Sequence, residues 1–192
     1  MTDRAPPRSA GVNAPAPAAV ADPERTGGRL SPVSFEELYR EAFDDVYAYV
    51  ATLLRDRSAA EDVVAAAFER AFRRLGSYDP RRGSRRQWLF GIARNAALDE
   101  LRRRRRTSAL EAEPGAQEPA FEDDAPDPVR RAAVRAALAA LDPRDRELVA
   151  LKFYAGLDNA EIAGVLGISA SNAGTRLHRA VHRLREALDA HA

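Results

Sequence analysis

The sequence predicts an all-α chain of two small helical domains joined by a flexible acidic linker, and three observations carry that prediction. Apolar residues recur at spacings of three and four, with no convincing strand-like alternation and no internal repeat. Capping and stop residues cut this pattern into helices of ordinary length. Between the two helical blocks, residues 107–128 hold seven acids, several prolines and no base, a composition that cannot bury a core. The chain has 192 residues and 45% hydrophobic content, enough for two small helical cores.

Residues 1–33 are rich in Ala, Pro, Gly and Arg with almost no large apolar side chain, so they read as a disordered tail. Ser34 and Glu37 have the spacing of a capping box, and Leu38, Ala42, Val46, Tyr49 or Val50, and Leu53 make the apolar stripe of a first helix ending near Leu54. Ser58 and Glu61 suggest a second box. Val64, Phe68, Ala71, Phe72 and Leu75 continue that helix until Gly76 stops it. The segment SYDPRRGS at 77–84 is a turn-rich loop. A third helix over 86–106 packs through Trp88, Leu89, Ile92, Ala93 and Ala96, and ends in five consecutive arginines. These elements form a three-helix-type N-terminal domain over 34–106.

The linker at 107–128 could reach at most ~70 Å if fully extended. Beyond it, residues 129–192 read as a four-helix domain. Val134, Leu138 and Leu141 mark its first helix, and Asp142 before Pro143 caps a second helix bearing Leu148, Leu151 and Phe153 or Tyr154, which Gly156 closes. The stretch DNAEIAGVLGISASNAGTRLHRAVHRLR at 158–185 is punctuated as a helix-turn-helix. Asp158 caps a helix carrying Ile162, Ala163 and Leu166, Gly167 ends it, and Ala173, Leu177, Ala180, Leu184 and Leu188 stripe the next.

The opposite face of that last helix carries Ser171, Asn172, Thr175, Arg176, Arg179 and Arg183, and no carboxylate lies between Ser169 and Arg185. Such a face can approach a phosphate backbone while amide, hydroxyl and guanidinium groups meet base edges. Arg176 is expected to read a base and Arg183 to hold phosphate where the helix leaves the groove. A rival assignment pairs Arg176 with Glu161 across the two helices.

Charge is segregated along the chain. Net charge is only +1, yet residues 85–106 carry eight Arg against two acids. The absence of cysteine excludes disulfides and thiolate metal sites. No apolar run approaches the ~20 residues of a membrane span, and no apolar signal core stands at the N-terminus, so a cytoplasmic protein is expected.

Two blocks flanking the linker resemble one family. AEDVVAAAFERAFRRL (60–75) with WLFGIARNAALDELRRRRR (88–106) is similar to the promoter-melting domain of bacterial extracytoplasmic-function (ECF) sigma factors. LDPRDRELVALKFYAGLDNAEIAGVLGIS (141–169) with TRLHRAVHRLR (175–185) is similar to their upstream-element-binding domain. The resemblance implies two main partners, RNA polymerase core (its largest-subunit coiled coil and its flap) and promoter DNA in duplex and single-stranded form. An anti-sigma protein is a further partner of the kind such factors have. It puts core binding on Asp62, Glu69 and Arg73 of the second helix. It puts minus-ten recognition and melting on Tyr78, Arg94, Asn95, Asp99, Arg102 and Arg103, and minus-thirty-five recognition on the six polar residues of the last helix.

The chain departs from the family pattern in places. Ala65 stands where Gln is frequent and Gly174 where Lys is frequent, each removing one expected contact, and GSRRQW (83–88) replaces an apolar run, so strand capture would lean on Arg. Trp88 lies on the apolar stripe and belongs to the core. The competing class is a response-regulator-type helix-turn-helix factor that binds duplex without melting it, but residues 34–106 lack the strand and helix alternation of a receiver domain. An enzyme is not expected: His178 and His182 stand one turn apart, but Arg179 occupies the position of a catalytic Glu and no third metal ligand is evident. No catalytic residue, metal, cofactor or small-molecule substrate is implied.

Overall fold

A computed structural model of the chain describes residues 30–108 and 128–189. Most of the predicted tail and linker lies outside the described residues. Within them the chain forms seven α-helices and one 3₁₀ turn, with no strand: α1 (Pro32–Leu54), α2 (Arg57–Arg73), the turn Leu75–Ser77, α3 (Arg85–Ser108), α4 (Pro128–Ala140), α5 (Pro143–Phe153), α6 (Asn159–Leu166) and α7 (Ala170–Asp189).

Two helix starts differ from the sequence reading. The cap of α1 is Ser31, whose Oγ accepts from the Ser34 N–H at 3.1 Å, with Pro32 in the first turn. Ser34 is therefore inside the helix. A serine followed by proline is itself a start signal, because proline's fixed φ suits the first turn and its missing N–H costs nothing there. The cap of α2 is Asp56 and not Ser58: its Oδ1 accepts from the Ala59 N–H at 3.0 Å. Only Arg55 and Asp56 separate α1 from α2, and so tight a corner forces Arg55 into the left-handed region at φ 53°.

The N-terminal helices pack through Leu38, Ala42, Val46, Tyr49 and Val50 of α1, Ala60, Val64, Ala67 and Phe68 of α2, and Leu89, Phe90, Ala93 and Ala97 of α3. Phe72 departs from its expected place on the stripe of α2 and is 53% exposed. It meets Phe35 at 5.5 Å between ring centroids, on the rim of an aromatic patch that includes Tyr39 and Phe43.

In the C-terminal half α5 is the central helix. Val149 faces Leu138, Leu141 and Ala180, while Leu148 and Leu151 turn the other way, into the core shared with α1 and α3. A helix buried on opposite sides reads as apolar almost all round, which is the pattern of ELVAL at 147–151. Of the two aromatic candidates at its end, Tyr154 packs on the core and Phe153 is exposed. The buried Arg146 donates to the carbonyls of Leu138 (2.8 Å), Ala139 (2.9 Å) and Leu141 (2.8 Å), so a side chain of α5 satisfies acceptors left over at the end of α4.

Candidate nucleic-acid interface

The helix-turn-helix is built by local chemistry. Asp158 accepts from the Glu161 N–H at 2.8 Å, and Glu161 accepts from the Asp158 N–H at 3.0 Å, a complete capping box. Gly167 ends α6 at φ 68°, a conformation glycine adopts without a Cβ penalty. The Ile168 N–H then reaches back to the Ala163 carbonyl at 3.1 Å. Ser169 opens α7 by accepting from the Asn172 N–H at 3.2 Å. Ala173, Leu177 and Ala180 are buried, which sets the opposite face outward.

That face carries Ser171, Asn172, Thr175 and Arg179, all exposed, with Arg176 half-buried beside them. The rival pairing of Arg176 is not what Glu161 does: its carboxylate accepts from Asp158 and from the Ser84 hydroxyl, the latter at 2.5 Å. Arg183 has an occupation the sequence did not suggest. Its guanidinium is bonded to Asp145 of α5 and lies 3.8 Å from Asp142. Burial raises the Asp145 carboxyl above the ordinary value, the adjacent Asp142 adds to the rise, and Arg183 opposes both. A Cβ at Gly174 would stand 3.1 Å from the side-chain nitrogen of the exposed Asn159 on α6, a tight approach that a small shift of that amide relieves.

The candidate minus-ten residues are dispersed. Asn95 is exposed on α3. Its neighbour Arg94 is turned to the C-terminal half, where its Nε donates to Glu147 Oε1 at 2.6 Å, with only 22% and 12% of the two side chains exposed. Tyr78 is buried edge-on to Trp88 at 5.8 Å, and its hydroxyl donates to the Gly83 carbonyl at 3.3 Å.

The arginine run is less free than its sequence suggested, because carboxylates one turn earlier on α3 engage it. Arg102 meets Asp99 at 2.9 Å, and Arg103 holds Glu100 by two 2.8 Å bonds. Arg104 bridges Glu100 and the α2 cap Asp56, each at 2.8 Å. Arg105 and Arg106 are exposed. On α2, Asp62, Glu69 and Arg73 share the outer surface with Phe72, and Arg73 pairs with Glu69 at 2.6 Å.

Sequence reasoning missed the residues that join the two halves. Tyr49 donates its hydroxyl to Glu147 at 3.3 Å, and burial, with the Glu147 charge behind it, pushes that phenol well above the ordinary tyrosine range. Arg86 donates to the carbonyls of Ala155 (2.5 Å) and Tyr154 (2.9 Å), bonds Asp45, and lies over the Phe90 ring at 5.4 Å. The run DPRDRE at 142–147 carried a faint signal, since charged residues directly before a wholly apolar turn must find partners when buried.

The two halves are each recognisable. Residues 36–107 match Sigma-70 region 2, and residues 131–184 match Sigma-70 region 4. The chain is 36% identical over 157 residues to the RNA polymerase sigma factor CarQ of Myxococcus xanthus, covering 81% of this chain and 89% of that one. It is 32% identical over 150 residues to the ECF RNA polymerase sigma factor SigL of Mycobacterium tuberculosis, covering 77% and 85%. The chain belongs to the ECF RNA polymerase sigma factor family.

As an ECF sigma factor it directs RNA polymerase to promoters, and the response-regulator alternative is not favoured, because that class gives no account of a region 2 match. The fold agrees. CnrH, solved in complex with the cytosolic domain of CnrY, superposes with a TM-score of 0.61 at 28% identity, covering 84% of this chain and 92% of that one. The sigma factor RpoE of Bartonella quintana, solved with the anti-sigma factor NepR, shares the fold with a TM-score of 0.73 at 22% identity, covering 81% and 96%. Among the described residues no helix is long and apolar enough to cross a membrane.

Proposed function

We propose that α7 reads the minus-thirty-five element through Ser171, Asn172, Thr175, Arg176 and Arg179, and that α3 and the loop before it open the minus-ten element through Asn95 with Arg102 and Arg103. The observation that carries this reading is the outer face of α7. From Ser169 to Arg185 it is polar, free of carboxylates and held outward by a capped turn, so this part of the helix can enter a major groove without repelling phosphate. Melting costs unstacking, which capture of an extruded base on the non-template strand offsets. The Asn95 amide is an exposed group able to bond such a base.

Core polymerase would engage the outer face of α2 at Asp62, Glu69 and Arg73, through the largest-subunit coiled coil, and the flap would meet the C-terminal half. The exposed Phe72 supports this face as a docking surface, since it adds an aromatic anchor between Glu69 and Arg73. The factor would act in the cytoplasm, under an anti-sigma protein, without cofactor or small-molecule substrate. Run-off transcription with purified core, with and without this chain, tests the reading. Permanganate-reactive strand opening that depends on the chain is the expected result, and duplex binding without opening would refute it.

A further inference from the structure

We propose that the exposed aromatic surface formed by α1 and α2 is a docking site for a proline-containing segment of this same chain, residues 14–23, and that the docked segment covers part of the face offered to core polymerase. The second part of this inference rests on the core-binding reading above, and the first does not.

Two ridges make the surface. Phe35, Tyr39 and Phe43 recur every fourth residue along α1, as do Phe68 and Phe72 along α2, so each set lies on one side of its helix. The ridges meet ring to ring: Tyr39 lies edge-on to Phe68 at 4.7 Å, Phe43 stacks on Phe68 at 5.8 Å, and Phe35 meets Phe72 at 5.5 Å. Phe35 and Phe68 are buried as a floor, whereas Tyr39, Phe43 and Phe72 remain 40%, 37% and 53% exposed. Charged neighbours are engaged with one another, Glu36 with Arg40 at 3.1 Å and Glu69 with Arg73 at 2.6 Å. An aromatic surface whose flanking ions are already paired favours an uncharged, apolar occupant.

The chain carries such an occupant within reach. Residues 9–21 hold no charge, and Ala14, Pro17, Val20 and Pro23 recur every third residue, the repeat that lines one face of a polyproline II helix. Segments of this kind dock on aromatic surfaces because their backbone is set beforehand and little ordering entropy is lost. The tether is short. Leu30 is buried directly before the α1 cap, and Leu30 and Phe35 occupy the two positions of a hydrophobic staple, so the chain enters the body at the Phe35 end of the surface. From Pro23 to Leu30 the chain can reach ~23 Å, whereas the ridge from Phe35 to Phe43 is only about 12 Å long. Gly27 and Gly28 supply the turn that sends the segment back along that ridge. So short a tether holds the segment at about millimolar effective concentration, enough for weak docking within one chain. Phe72 is also the aromatic anchor of the core-docking face, so core affinity falls in proportion to the fraction of chains in which the surface is covered.

The chain has no cysteine, so one spin label at Ala19→Cys, off the repeating face of the segment, reports where the segment lies. In the full chain the amide signals of residues 36–43 and 65–72 should broaden, and those of α7 should not. Pro17→Ser with Val20→Ser removes the apolar face at constant charge and alters no residue of the helices. It should abolish the broadening, and Tyr39→Ala should do the same from the other side. If the surface is covered about two-thirds of the time, the tail variant should bind core about threefold more tightly. Broadening that is absent or uniform in the labelled chain, or that survives the double serine variant, would overturn the docking. Broadening that also appears when labelled chains are mixed with separate isotope-enriched chains would give the surface to a second copy and overturn it too. Selective broadening that the serine variant removes, with core affinity unchanged, would leave the docking in place and refute Phe72 as part of the core-binding face.

Discussion

Arg183→Ala separates a structural from a phosphate-binding arginine on one helix. In the structure Arg183 is the cation facing Asp145 and Asp142, and its own side chain is 56% exposed while that of Asp145 is 8% exposed. Breaking a fully buried pair costs about 3–5 kcal/mol and losing an exposed one about 0–1. This pair is one part each, so a loss of about 1–2 kcal/mol is expected, or about 3–6 °C in melting temperature for a chain of this size. The pH dependence has a definite sign. The Asp145 carboxyl already sits above its ordinary value, and without Arg183 it rises further. Its ionised form then weighs against folding, so the deficit is present at neutral pH and fades as pH falls through that raised value. Asp145→Asn added to Arg183→Ala should restore most of the loss. Binding to an upstream-element duplex, titrated against salt, should keep its slope in Arg183→Ala, whereas Arg179→Ala should reduce it by about 0.9. An unchanged melting temperature together with a slope reduced by about one in Arg183→Ala would refute the pairing as the residue's role.

Other perturbations test other parts of the fold. Asp56→Ala removes the α2 cap and the Arg104 bridge, and should cost about 1–2 kcal/mol in chemical denaturation. The Ala59 N–H leads in holding the Asp56 carboxyl below the usual range, against burial and with Arg104 assisting. Its stabilisation is thus complete above the unfolded value of about 4 and lost as pH falls through the lower folded one, so wild type and Asp56→Ala should converge in strong acid. Arg55→Gly relieves a left-handed backbone and should stabilise by about 0.5–1 kcal/mol, read as a higher urea midpoint at constant m-value; a lower midpoint would show that the Arg55 side chain contributes more than the backbone loses. Arg176→Ala should flatten preference at one position of a randomised upstream element, a discrimination worth roughly 1–3 kcal/mol, and unchanged selection by a destabilised protein would assign Arg176 to structure.

What the sequence revealed and what it hid divide along the range of the interactions. Asp158 with Glu161, Gly167, and Asp142 before Pro143 act within four residues, so their letters sufficed to place α5, α6 and the turn into α7. The start of α1 was misplaced because Ser31 and Ser34 are both capping types three apart, and only the backbone distinguishes the residue outside the helix from the one inside. Phe72 fell on the predicted stripe because a helical wheel gives a direction but not the edge of the neighbouring helix. The polar face of α7 was legible as a face, but not the diversion of Arg183 to α5, 38 residues away. Least legible of all was the seam between the two halves. Tyr49 and Glu147 lie 98 residues apart, and nothing in either neighbourhood says that a tyrosine on one apolar stripe will meet a carboxylate on another.

Arg146 gives the C-terminal half a mechanical character. The chain enters α4 at Pro128 from the acidic segment, so tension between the two halves acts first on the start of that helix. The far end of α4 is anchored because two of its last carbonyls, with that of Leu141 just beyond it, sit in the guanidinium fork of a residue rooted in the first turn of α5. A pull cannot peel the final turn of α4 away one hydrogen bond at a time; it must break the fork as a unit and strand a buried cation. Load arriving through the linker is thereby handed to α5, the helix that Arg86 grips from the other side, and α4 behaves as a tow bar instead of a ribbon. Single-molecule stretching from Pro128 should show α4 and α5 yielding in one step, and Arg146→Met should split that step in two.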